Sequence, residues 1–378
     1  AYNRSMARRP TSPAAPGDPR RGRGATINPA NRFRDLTREA VDDGWASPPF
    51  ESGENAPSRQ LRTTVAIVPS RTILTRNDSP DIPFTQSINP YQGCEHGCVY
   101  CYARPSHAYL DLSPGLDFET KLYAKPDAAK LLREELAKPG YACDPIALGT
   151  NTDPYQPIER EWKVTRSILE VLAETRHPFS IVTKNALVER DLDLIAPMAA
   201  AGLARVCLSV TTLDVDLARR LEPRASAPVR RLRALGALAR AGVPTGVMVA
   251  PVIPQLNDRD LEAILEAAAA AGATSAGWIM LRLPREVAPM FRDWLAAHTP
   301  DRAAHVMSIV NDLRGGRDYD ARFGARMRGT GAYADLIAKR FALACRRLGL
   351  DAGRDRSPLD CNQFRPPPRD GGRQGSLF

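Results

Sequence analysis

The feature that most constrains this chain is Cys94-Glu-His-Gly-Cys98-Val-Tyr-Cys101, which sets three thiols within eight residues at C-x3-C-x2-C spacing. Thiolates are soft ligands that select zinc, copper(I) or iron–sulfur clusters. A structural zinc site takes four ligands, commonly as two pairs, and the sequence has no second pair. A cubane cluster usually takes four cysteines. Three on one loop would leave one iron with an open position, able to bind a substrate or cofactor. The deficit points to reactivity more than to electron storage.

The remaining composition narrows the class. At 378 residues and 43 % apolar content the chain can build one large core or two modest ones. No apolar run approaches the ~20 residues of a membrane span. The N-terminus shows no secretory apolar stretch, so no membrane association and a cytoplasmic location are expected. Seven cysteines, three of them clustered, do not read as a disulfide framework. A net charge of +9, carried mostly by arginine, fits either a polyanionic partner or a biased composition.

Read in order, residues 1–60 are a basic, partly disordered N-terminal extension. Arg8, Arg9, Arg20, Arg21 and Arg23 alternate there with Pro, Gly and Ala. From Gly22 to Phe33 the composition changes to that of an ordered segment wrapping a domain. A short apolar run at Val65–Val68 reads as a strand leading into the main fold. From Phe84 short apolar runs alternate with amphipathic stretches, the pattern of repeated βα units on a parallel sheet. Strands are expected at 84–89, 145–150, 179–183, 204–211, 244–250 and 274–283. Helices are expected at 126–138, 162–176, 189–201, 228–241 and 258–271. The expected fold is α/β: an open six-stranded parallel (β/α)6 partial TIM barrel over 61–284. Its chemistry would sit at the C-terminal strand ends. Residues 285–378 would form a helical cap, with helices at 286–297, 301–313 and 331–348, and an Arg/Pro/Gly-rich tail.

With Tyr100 as the aromatic, C-x3-C-x-aromatic-C resembles the signature of the radical S-adenosylmethionine (SAM) superfamily. The resemblance implies that Cys94, Cys98 and Cys101 hold a 4Fe-4S cluster whose open iron is chelated by SAM. It further implies reductive SAM cleavage and hydrogen-atom abstraction from a substrate, with a flavodoxin- or ferredoxin-like protein supplying the electron.

The strand ends supply further candidates. After the second strand, Gly149-Thr-Asn-Thr-Asp153 crowds turn-forming residues; Asn151, Thr152 and Asp153 could accept from an ammonium group, or form an ordinary βα turn. Lys184 ends the third strand, an unusual place for lysine unless it faces a pocket and pairs with a carboxylate. Ser209 closes the fourth, as a ligand contact or a satisfied core serine. Glu222 follows on the same face, to hold a ribose hydroxyl or an arginine. Ala250, Pro251 and Pro254 would form a rigid wall for adenine.

Tyr100 and Tyr102 in CVYCYARP, then TNTD, VTK, LSV, LEPR and VMVAP, recur in this order in proteins similar to spore photoproduct lyase. That family reverses a thymine–thymine cross-link in DNA. The resemblance spans about 84–284 and maps its SAM contacts onto Tyr102, Thr152, Lys184, Ser209 and Ala250. It departs at Thr150, where the lyase has a cysteine that returns a hydrogen atom. The expected activity is thus a radical SAM enzyme of an uncharacterised lyase-like branch, with a nucleic-acid lesion as one candidate substrate. The alternative is a nucleic-acid-binding protein with a structural Zn or Fe–S site. His96 is expected to be exposed. Cys207 and Cys345 are expected in the core, Cys143 at the far end of its strand, and Cys361 as a candidate to fold over the barrel mouth.

Overall fold

The computed structural model describes residues 20, 22–33, 61–352 and 358–368. Arg8, Arg9 and Arg21, expected in a basic arm, lie outside the described residues.

Among the described residues ten strands follow in order: β1 (Thr64–Ile67), β2 (Leu74–Arg76), β3 (Gln86–Ile88), β4 (Tyr91–Gln92), β5 (Lys121–Ala124), β6 (Ile146–Leu148), β7 (Phe179–Thr183), β8 (Ala204–Ser209), β9 (Thr245–Val252) and β10 (Ser275–Met280). The main sheet has the order β10-β9-β8-β7-β6-β3-β2. From β3 to β10 every pairing is parallel, and β2 joins β3 antiparallel at the edge. The sheet is therefore one strand wider than expected. The three residues of β2 are too few to show a period, so the sequence presents them as a connection.

Consecutive parallel strands lie side by side because each connection carries a helix back along the sheet. The helix Val164–Glu174 buries Val164, Ile168, Leu169, Val171 and Leu172 on one face, the spacing that a 3.6-residue period requires. The last helix, Ala332–Leu348, buries Ala334, Ile337, Phe341, Ala344 and Cys345, and Phe341 meets Trp278 of β10 at 6.2 Å between ring centroids. Parallel strands buried on both faces should be almost wholly apolar. Accordingly Ile146, Leu148, Ile181, Val206, Leu208, Val247 and Val249 are all at or below 1 % exposure.

A second, small sheet was not foreseen. In it β5 pairs parallel with β1 and antiparallel with β4. It carries the chain from β3 into the cysteine loop, which starts directly after β4.

The cap helices Val287–His298 and Pro300–Asp312 pack onto that loop. Phe291, Trp294, Leu295, Val306 and Met307 share one apolar cluster with Cys98, Val99 and Tyr100. Further on, the segment 318–328 reaches across the opening of the sheet. Arg326 pairs there with Asp81, in the connection between β2 and β3, and Gly324 N donates to the same carboxylate at 3.1 Å. The two outer edges of the main sheet are thereby linked through the cap. Among the described residues no helix is long and apolar enough to cross a membrane.

Candidate active site

The cysteine loop, residues 93–101, runs in contact with several C-terminal strand ends. Backbone bonds fix it from three sides: Cys94 N to Phe118 O at 3.0 Å, Val99 N to Leu221 O at 3.1 Å, and Arg224 N to His96 O at 3.2 Å. Gln156 adds a two-sided clamp, accepting from Glu95 N at 2.8 Å and donating to Gly93 O at 3.1 Å. Beneath the loop, Arg104 donates to Cys98 O at 2.8 Å and to Glu119 at 2.5 Å, with both charged side chains at 0 % exposure. Glu119 in turn accepts from Gly24 N and Ala25 N. The segment 22–33 thus wraps the domain as expected, and Arg23, read as part of a basic arm, is instead buried against Glu119 O, Leu61 O and Thr63.

Cys94 and Cys98 are buried and Cys101 half-buried, all as free thiols. Burial pushes all three up, and at Cys94 the charges of Asp153, Cys98 and Cys101 add to the rise. Backbone N–H groups meet two of the sulfur atoms, from Asp153 at Cys94 and from Ala103 and Arg104 at Cys101.

The turn after β6 requires its glycine: Gly149 has φ +90°, and a Cβ there would stand 2.0 Å from Val182 O. Asn89, which the sequence did not single out, organises this turn by accepting from Asn151 N at 2.9 Å and Thr152 N at 3.3 Å. Asn151 is exposed and Thr152 buried. Asp153 is already occupied. It accepts from Thr183 Oγ1 at 2.7 Å and Lys184 N at 2.8 Å and faces His96 Nδ1 at 3.4 Å. Burial alone would raise its carboxyl, but His96, Thr183 and Lys184 N–H reverse this and hold it at about 2. Asp153 thus positions the turn. His96, expected exposed, is 1 % exposed because it fills the space between Asp153 and Asn185.

Glu222 holds an arginine, one of the two roles expected of it. Its carboxylate takes Tyr100 OH, Thr211 Oγ1 and Arg231 Nη2. Burial pushes it up, but Arg231, Lys184 and the two hydroxyls bring it to about 2. It is the fixed anchor of Tyr100. Lys184 Nζ is less committed, at 3.3 Å from Ala250 O and 3.9 Å from Glu222, over the Tyr100 ring. Buried Ser209 ends β8, and its carbonyl accepts from Arg231. Ala250 lies within β9, which continues through Pro251 to Val252. Tyr102 donates to Thr150 O, joining the cysteine loop to the end of β6.

The other four cysteines sit elsewhere. Cys345 is buried and Cys207 half-buried in the strand–helix layers. Cys361 does not cover the mouth. Its segment crosses the opposite end of the strands, where Asp360 N bonds Gly202 O and Arg365 N bonds Thr175 O, and Cys361 meets Cys143 there. A cavity of about 430 Å³ between the two cap helices is lined by Leu295, Ala303, Met307 and Asn311, and none of the residues expected at the site lines it.

The Radical SAM superfamily model matches residues 88–268, from the end of β3 through the helix before β10. The chain carries a radical SAM domain. Uncharacterised proteins of Mycobacterium tuberculosis and Mycobacterium bovis are 42 % identical over 222 residues, covering 58 % of this chain and 65 % of theirs. One from Methanocaldococcus jannaschii is 30 % identical over 174 residues, covering 45 % of this chain and 61 % of its own. The chain thus matches just under two thirds of these relatives' lengths. Spore photoproduct lyase, solved with a dinucleoside spore photoproduct, superposes with a TM-score of 0.53 at 17 % identity over 76 % of this chain and 80 % of its own. A mutant of it carrying AdoMet gives the same score. At that identity the likeness is one of fold.

Radical SAM domains use a 4Fe-4S cluster and SAM, together with a source of electrons. The donor set here fits the cluster. Buried thiols that resist ionisation become thiolates readily only beside a cationic centre, and N–H groups aimed at sulfur are a usual means of tuning such clusters. Among the described residues no three His, Cys, Asp or Glu side chains are arranged to hold a metal ion. A cubane binds its cysteines to separate irons, so its sulfur ligands stand farther apart than those around one ion.

Proposed function

We propose that this protein is a radical SAM enzyme in which Cys94, Cys98 and Cys101 bind a 4Fe-4S cluster at the C-terminal ends of a six-stranded parallel partial barrel. The observation that carries this reading is the gathering of three thiols on one clamped loop, beside Lys184 and the turn after β6. When bound, the cluster and SAM supply a one-electron cleavage that generates a hydrogen-abstracting radical.

The chain's own residues bind, orient and exclude water. The Lys184 ammonium, with one weak hydrogen bond and a distant carboxylate, attracts the carboxylate of SAM. Asn151 and Thr152 present the turn's backbone to its ammonium group. Ala250 and Pro251 form the wall beside the adenine, with Ser209 at the neighbouring strand end. Tyr100, tied to Glu222, and Tyr102, tied to Thr150, keep the loop rigid next to this space. The Thr150 O–H bond is too strong for a hydrogen-atom donor, so the chemistry differs from a lyase that returns hydrogen from a thiol. The substrate is an organic molecule, with a nucleic-acid lesion the first candidate, and a flavodoxin- or ferredoxin-like protein is the reductant.

The test is anaerobic reconstitution with iron and sulfide analysis, followed by reduction in the presence of SAM. About four irons and four sulfides per chain, with release of methionine and 5′-deoxyadenosine, are expected. One zinc and no sulfide would replace this reading with a structural metal site. A reduced cluster that leaves SAM intact would remove the catalytic part.

A further inference from the structure

Where β10 meets the cap, two guanidinium groups stand near each other with no carboxylate at ion-pair distance among the described residues, and Asp320 acts on one of them, Arg314, only from farther off. Arg282 emerges two residues beyond β10. Its guanidinium lies 4.8 Å from the ring centroid of Tyr102 and 6.0 Å from that of Tyr319. Among the described residues its polar partners are neutral: Met327 Sδ at 3.5 Å and the Tyr319 hydroxyl at 3.3 Å. Its Nε is buried and has no hydrogen-bond partner. Behind it, Arg314 is 2 % exposed and donates only to the carbonyls of Ala325 and Leu281, at 2.5 and 2.6 Å, with its Nε also buried and unpartnered. Burial, then repulsion by Arg282, lowers the affinity of Arg314 for its proton.

The nearby carboxylates are committed elsewhere. Asp81 pairs with Arg326, and Asp320 forks onto Arg322. Guanidinium groups removed from water normally find an anion, because their desolvation is otherwise uncompensated. Here the open N–H and the excess charge stand beside Tyr102, directly after the last cysteine of the loop, so the missing anion belongs to something that enters the site. The surroundings indicate its chemistry. Arg317 and Arg328 are exposed on the adjoining segment, Phe323 is 58 % exposed and Tyr102 is 43 % exposed. Basic groups beside partly exposed aromatic rings suit a strand of phosphates and bases.

We propose that Arg282, reinforced by the buried charge of Arg314, receives a backbone phosphate of a single-stranded nucleic-acid substrate beside Tyr102. The proposal rests on the radical SAM reading of the same site. A guanidinium offers a phosphate paired N–H groups that an ammonium does not.

The test uses the full chain with its cluster reconstituted anaerobically, and fluorescence anisotropy with a labelled hexathymidylate. A matched strand with uncharged methylphosphonate linkages is the control. The parent chain should bind the phosphodiester strand at least about tenfold more tightly than the control strand. Arg282→Gln should lose about tenfold on the phosphodiester strand alone and flatten the dependence of log K on log salt by about 0.7. Arg282→Lys should recover the salt slope but only part of the affinity. Cluster absorbance and melting temperature monitor the fold of each variant. Absence of binding by the parent, an equal loss on both strands, or an unchanged slope overturns the proposal. SAM cleavage measured on the same samples separates the two ideas: cleavage without strand binding removes the phosphate site alone, whereas a cluster that never cleaves SAM removes the enzyme reading.

Discussion

Gly24 and Gly97 meet backbone to backbone: a Cβ built on Gly24 would stand 1.7 Å from the Gly97 carbonyl oxygen. The N-terminal segment is therefore pressed onto the loop that carries the thiols, and no side chain fits between them. Gly24→Ala should force the two apart and reduce reconstituted iron and sulfide to well under half of the parent value. Gly22→Ala is the control. Gly22 has φ +74° but open space around it, so that variant should cost about 1 kcal/mol of stability and leave the iron content unchanged.

Glu119 ties the same segment to Arg104 inside the protein, at 0 % exposure for both side chains. Removing one charge leaves the other buried and unpaired. Glu119→Gln should therefore destabilise by about 3–5 kcal/mol in denaturant titration. Replacing both residues with apolar ones should recover part of that loss, because the second desolvation cost disappears with the second charge.

Lys184 gives a binding readout. Lys184→Met should weaken SAM binding about tenfold, the order expected for one charge-assisted hydrogen bond of about 1.5–3 kcal/mol, with iron content preserved. Isothermal titration on the reconstituted protein measures both the loss and the partial recovery expected of Lys184→Arg. Unaltered SAM affinity would remove Lys184 from the proposed site.

His177 links pH to the far side of the molecule. Burial lowers its pKa to about 4 from 6.5, with Pro178 O and Asp144 opposing only in part. The imidazole packs against Tyr141 and against Phe364 of the C-terminal segment. Because the folded state resists protonation, its contribution is complete above pH 6.5. It is lost as pH falls towards 4, by up to about 3 kcal/mol. Urea titrations at pH 7 and pH 4.5 should show the drop, and His177→Gln should diminish it.

The βα alternation was legible because each strand and helix is long enough to show its own period. The helix seen at Pro228–Arg240 was expected at 228–241, and the strand β7 was placed at its observed bounds. The cysteine spacing likewise marked the loop. What sequence could not show was which polar groups would find one another. Asp153 sits at a strand end and Glu222 at the C-terminal end of the helix Val215–Leu221, but their partners lie 57 residues upstream at His96 and nine residues downstream at Arg231. Asn89, Gln156 and Glu119 act through contacts 61 to 95 residues apart. The β1–β5 pairing joins four-residue strands more than 50 positions apart, too short and too distant for any local signal. Cys361 went to the opposite end of the strands because Gln363 and Arg365 bond the loops at Ala201 and Thr175, contacts that no pattern of residues announces.

The Asp81–Arg326 clasp gives the sheet a seam. Both side chains are largely shielded from solvent, at 11 % and 15 % exposure, and they fasten loops that belong to opposite margins of the strand array. Parting them would unfasten the enclosure without breaking a single rung of the ladder.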